Sequence, residues 1–132
     1  MMEHVLRFRA SHVTSEACDD ENIAYVFLRS EAFPQGHYLM ISRCLDSRTK
    51  SGIFVEYDDQ GQVARGGVAR CQLGGNSLTL EIEPKAAEAL GIPQVRRIDV
   101  DFDLAPASLP ELRRSLAAIF AESGVYEDRG LE

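Results

Sequence analysis

The segment Ile98-Asp99-Val100-Asp101-Phe102-Asp103 alternates an apolar side chain with a carboxylate at every step. Successive side chains of a β-strand point to opposite sides of its sheet, so this pattern makes one face apolar and the other wet. The same period recurs along the chain. Leu6, Phe8 and Ala10 alternate with Arg7, Arg9 and Ser11, and Leu78-Thr79-Leu80-Glu81-Ile82 repeats the theme. Ile23-Ala24-Tyr25-Val26-Phe27-Leu28 is apolar on both faces, which places it centrally in a sheet. After the break Phe33-Pro34-Gln35-Gly36, the run from His37 to Leu45 pairs back on it as a hairpin. Ile53-Phe54-Val55-Glu56-Tyr57 is rich in β-branched and aromatic residues, and Asp58-Asp59-Gln60-Gly61 turns the chain after it. Val63 to Leu73 reads as one weaker strand, interrupted at Gly66-Gly67 by a bulge or by a close approach of backbones. Gly74-Gly75-Asn76-Ser77 then forms the clearest hairpin turn of the chain.

Two helices break the series. Pro84-Lys85-Ala86-Ala87-Glu88-Ala89-Leu90-Gly91 begins with Pro and ends with Gly, the usual asymmetry of a short helix. Ser108-Leu109-Pro110-Glu111 has the form of a capping box, and Leu109, Leu112, Leu116, Ile119 and Phe120 form one apolar stripe beyond it. The expected fold is α+β and mostly β: a largely antiparallel sheet of roughly six to seven strands, a short helix, and a C-terminal helix packed on the sheet. At 132 residues the chain has the size of a single domain. Its ordered core is expected over about residues 4–122, with 123–132 as a tail of little apolar pattern.

The composition excludes several classes. Apolar residues at 45% and charged residues at 27% argue against a disordered, collagen-like or coiled-coil chain. No run approaches the ~20 apolar residues of a membrane span, and Arg7 and Arg9 interrupt any signal peptide, so a cytoplasmic location is expected. The odd set Cys18, Cys44 and Cys71 contains no Cys-x-x-Cys pair, which fits free thiols in a reducing compartment.

No motif demands catalysis, a cofactor or a metal. His4, His12 and His37 are dispersed, and a Cys44–His37 catalytic pair is the one enzymatic reading left open. The aspartates at 99, 101 and 103 lack the Gly and Glu of a calcium loop, since those positions hold Leu104 and Pro110. Gly61 to Val68 lacks the Lys and Ser/Thr of a phosphate loop, and neither Arg96-Arg97 nor Arg113-Arg114 builds a basic patch. What remains is acid: 14 basic against 21 acidic residues, a net charge of −7. That sign disfavours nucleic acid and favours a basic protein partner, although plain solubility also accounts for it. Candidate partner-binding residues are Asp19, Asp20 and Glu21 in one turn, and Glu56, Tyr57, Asp58 and Asp59 at a strand end, with Phe33 as a second candidate anchor beside Tyr57, although core burial is the more frequent fate of both aromatics.

The order of these segments, from Tyr38 to Leu45 through Gly66-Gly67, Leu78 to Ile82, Ala86 to Gly91, Ile98 to Asp103 and Leu112 to Phe120, resembles the immunity protein 10 family. These are small bacterial proteins encoded beside polymorphic toxins. The resemblance covers about residues 5–121 and implies a largely β fold with a C-terminal helix. It also implies neutralisation of a cognate toxin, plausibly of a basic nuclease type, by binding. The family pattern carries no catalytic residue. An aromatic often precedes its paired glycines, where this chain has Arg65. The alternatives are a homo-oligomeric ligand-binding or scaffold module, and a small Cys/His enzyme.

Overall fold

A computed structural model describes residues 5–18, 23–30, 37–44, 52–58, 62–103, 108–121 and 123–128. Among these residues the chain forms ten strands, in two five-stranded sheets, and two helices. The first sheet runs, in spatial order, β1 (Val5–Ala10), β9 (Arg97–Phe102), β8 (Ser77–Ile82), β7 (Val68–Leu73) and β10 (Tyr126–Asp128). The second runs β2 (His12–Cys18), β3 (Ile23–Arg29), β4 (Tyr38–Cys44), β5 (Ile53–Tyr57) and β6 (Val63–Arg65), antiparallel throughout. Two pairs in the first sheet are parallel, β1 on β9 and β10 on β7. The class is α+β and mostly β, but the strands are divided between two sheets and outnumber the six or seven expected.

The division arises where the chain changes sheet. Between β1 and β2 only Ser11 intervenes, and its amide donates to the Arg29 carbonyl at 2.9 Å. This single residue moves the inward positions from even numbers (Phe8, Ala10) to odd ones (Val13, Ala17). The second crossing is Gly66-Gly67, between β6 and β7, so the weak strand expected from Val63 to Leu73 is two strands in different sheets. Both glycines have positive φ, 74° and 83°. A Cβ on Gly67 would lie 2.7 Å from the Ala86 Cβ of α1 (Pro84–Ala89), and the Gly67 carbonyl accepts the Glu83 amide at 2.8 Å. The close approach read from the sequence is therefore real, and it seats α1 against the corner.

The inward faces of both sheets share one apolar core with the helices. Leu28, Leu39 and Ile41 of the second sheet, and Leu78, Leu80, Ile98 and Phe102 of the first, are fully buried. Leu112, Leu116, Ile119 and Phe120 of the C-terminal stripe join them, on and just after α2 (Leu109–Ile119). α2 lies against β2 and β3. Arg43, whose side chain shares the inward face with Leu39 and Ile41, donates to the Ile119 and Ala121 carbonyls at 3.3 and 3.0 Å. Those carbonyls have no partner inside the helix, and a cation suits the negative end of its dipole. The capping box does not form. Ser108 is already in a helical conformation (φ −90°, ψ −17°) with no side-chain cap bond, and Glu111 instead accepts from Arg114 at 3.0 Å.

The residues expected to form a loose tail add a strand. Tyr126, Glu127 and Asp128 pair with Cys71, Gln72 and Leu73. Asp128 lies 2.9 Å from the Arg113 guanidinium of α2, and Tyr126 stacks on Phe120 with centroids 6.0 Å apart. Residues 129–132 lie outside the described residues.

Leu116→Asp would place an unpaired carboxylate in the core, and is expected to abolish soluble expression; a soluble variant melting like the wild type would contradict this packing. At the corner, Gly67→Ala combines a left-handed backbone with a steric clash, whereas Gly66→Ala meets open space. Denaturant titration should show Gly66→Ala losing about 1 kcal/mol and Gly67→Ala about 2–3 kcal/mol.

Candidate interaction surface

The outward faces of the two sheets differ in chemistry. On the first, Asp99 is only 7% exposed. It accepts from Arg7 at 3.0 Å and from Arg97 at 3.1 and 3.2 Å. Arg9 pairs with Asp103, and Arg70 and Gln72 both donate to Glu127 at 2.8 Å. The alternation of β9 thus does produce one apolar and one acidic face, but the arginines of β1 and β9 neutralise much of the acid.

The register places the outward residues of the second sheet in rows. One row is Thr14, Phe27, Met40, Glu56 and Val63; the next is Glu16, Tyr25, Ser42, Phe54 and Arg65. Phe27, Tyr25, Met40 and Phe54 are half-buried, yet none of them packs against the core, and Val63 at the edge is 42% exposed. Tyr38 also points outward. It is covered in part by Phe27, with centroids 5.5 Å apart, and its hydroxyl donates to Glu56 at 2.6 Å. Arg65 lies over the Phe54 ring, 5.5 Å from its centroid, so a cation extends the aromatic layer.

The strand-end site expected at residues 56–59 divides along the alternation. Glu56 faces outward, while Tyr57 is turned into the core and is 6% exposed. Tyr57 sits beside Phe8, centroids 6.2 Å apart, and stacks on His37 with centroids 6.0 Å apart. Burial first, and then Asp58, raises its phenol far above the ordinary range. It is a core residue and no surface anchor, because neighbours on a strand cannot share a face. Asp58 is engaged within the chain: it has a positive φ of 61°, one oxygen accepts the Tyr38 amide at 2.8 Å, and the other lies 2.7 Å from His37 Nδ1. Asp19, Asp20, Glu21, Phe33 and Asp59 lie outside the described residues. The aromatic face itself was missed, although the apolar reading of both faces of residues 23–28 was its signal.

The Cys–His pair does not assemble. His37 and Cys44 flank opposite ends of β4, roughly 20 Å apart at the strand rise. Cys71 is fully buried, and burial pushes its thiol up to about 12, so it stays protonated at neutral pH. Among the described residues, no group of three or more His, Cys, Asp or Glu is placed to hold a metal ion, and no helix is long and apolar enough to cross a membrane.

Among the described residues, one sheet thus presents an outward face of aromatic side chains and the other an outward face of ion pairs. The family profile described as Immunity protein 10 matches residues 9–109, and the chain belongs to the immunity protein 10 family. No curated protein and no solved structure matches it.

Asp58 should act on stability. Asp58→Ala removes the acceptor of the Tyr38 amide and leaves an alanine at positive φ, an expected loss of about 2–3 kcal/mol in denaturant titration. Asp58→Asn tolerates that backbone and keeps one oxygen, so it should lose under about 1 kcal/mol. Equal stability of the two variants would remove the local role.

Proposed function

We propose that this immunity protein neutralises a cognate toxin domain by non-catalytic contact in the cytoplasm, and that the toxin presents a basic, nuclease-type surface. Family membership supports the immunity role. The observation that carries the finer reading is the location of the acid. Among the described residues, twelve acidic side chains stand against eleven basic ones, so most of the −7 excess belongs to other segments. Four of those segments join consecutive strands of the second sheet. By sequence they hold Asp19, Asp20, Glu21, Glu31, Asp46 and Asp59 against Arg48 and Lys50. Net negative charge raises the encounter rate with a basic partner and lowers it for acidic ones. A basic cleft built to hold phosphates meets carboxylates here in their place.

Co-expression with the toxin domain encoded beside the gene tests the reading. Growth should be rescued and the two proteins should co-purify. Association should be fast at low salt and slow about tenfold as ionic strength rises to roughly 0.5 M. A protein that rescues with a salt-independent association rate would keep the immunity role and lose the basic partner.

A further inference from the structure

We propose that the edge strand β2 pairs antiparallel with β2 of a second copy of this chain, joining their second sheets into one continuous sheet. Among the described residues β2 ends the second sheet on one side and pairs only with β3. Every second residue of such a strand turns its amide and carbonyl away from the neighbour, and an open edge of this kind is a template for another strand. The other three edges carry devices that discourage pairing. β1 exposes Arg7 and Arg9, while β6 and β10 are three residues long and contain Arg65 in one case, Glu127 and Asp128 in the other. β2 has none of these. It runs for seven residues in unbroken register with β3, and holds one carboxylate, Glu16, and no Lys, Arg or Pro. Its inward side is also incompletely covered. Val13, Ser15 and Ala17 are half-buried, whereas Leu28, Val26 and Ala24, their partners on β3, are fully buried. Phe8 and Ala10 on β1 and Ala64 on β6 are buried already.

The residues of β2 select the occupant. A two-fold axis perpendicular to the sheet at Ser15 sets that serine opposite its own copy, Val13 opposite the second copy's Ala17, and Thr14 opposite the second copy's Glu16. About this centre the strand is close to a palindrome. Inward positions meet inward ones, so Val13 and Ala17 cover each other where the two cores meet, and the exposed Thr14 and Glu16 meet outside. The carboxylate therefore faces a hydroxyl, whereas a register centred on Glu16 would bring two carboxylates together. To a foreign strand this edge offers one charge to recognise; to its own copy it offers a match at every position from Val13 to Ala17. A strand pair with few other contacts buries less than a standard interface, so the dimer is weak and depends on concentration.

Sedimentation velocity on the full chain, from roughly 10 µM to 1 mM, tests the pairing without any toxin. The wild type should pass from monomer towards dimer across this range. Thr14→Glu sets like charges opposite each other twice, once on each side of the axis, and should weaken the dimer about tenfold. Thr14→Lys sets opposite charges there twice and should tighten it about fivefold. Adding Glu16→Lys to Thr14→Glu restores opposite charges and should recover at least the wild-type constant. Asn76→Glu and Asn76→Lys, in the exposed β7–β8 hairpin of the first sheet, change the net charge equally and should stay within about twofold of wild type. Melting temperatures establish that each variant folds, and Thr14→Lys carries the test if Thr14→Glu does not. A wild type that stays monomeric throughout overturns the pairing, and so does a dimer indifferent to the Thr14 variants. A monomeric wild type whose toxin binding is lost in a folded Thr14→Glu protein assigns the edge to the toxin and also overturns the proposal. None of these outcomes bears on the immunity role, which growth rescue reports separately.

Discussion

The contact of Gly67 with Ala86 is the constraint on which the two-sheet arrangement rests. A chain leaving β6 must turn sharply enough to enter a second sheet, and the two left-handed glycines allow that turn. The absence of a Cβ on Gly67 lets the turn press against α1, which places Ala86, Ala87 and Leu90 in the common core. The other crossing, at Ser11, needs no glycine. One unpaired residue there changes which alternate positions point inward, and the Arg29 carbonyl holds it in place. Between them the two corners allow ten short strands to enclose one core.

Outside that core the two sheets handle charge differently, and the difference has a local cause. β1 and β9 run parallel in register, so Arg7 and Arg9 lie opposite Asp99 and Asp101, with Arg97 in reach of Asp99. Charges of opposite sign on adjacent strands satisfy each other. Among the described residues, the pairings of the second sheet set no acidic residue directly opposite a basic one. Its outward rows set aromatic rings beside Met40 and Glu56, and the bond from Tyr38 to Glu56 fixes side chains within the layer.

Much of this was legible in the sequence. Strict alternation identified β1, β8 and β9, the paired turns identified the β3–β4 and β7–β8 hairpins, and the spacing of Leu112, Leu116 and Ile119 identified the buried face of α2. The failures have physical reasons. β2 escaped because Ser11 shifts the parity and because its inward residues Val13, Ser15 and Ala17 are small or polar. β10 escaped because an inward aspartate looks like a solvent residue until Arg113 of α2 is seen beside it. Of the two fates the sequence allows Tyr57, surface anchor or core, the structure shows the core. Alternation sends Glu56 and Tyr57 to opposite faces, and it is the outward set, two residues apart along each strand, that forms the candidate surface.

Glu16 and Glu56 stand in the same rows of the second sheet as the aromatic rings, and the two kinds of group bear differently on the speed and the strength of binding. Charges at the ends of a face act over about a Debye length, roughly 8 Å in physiological salt, and so act before contact is made. Rings at its centre act only once water has been expelled. A protein that must intercept a toxin before it reaches its target gains from the first, and one that must hold it gains from the second.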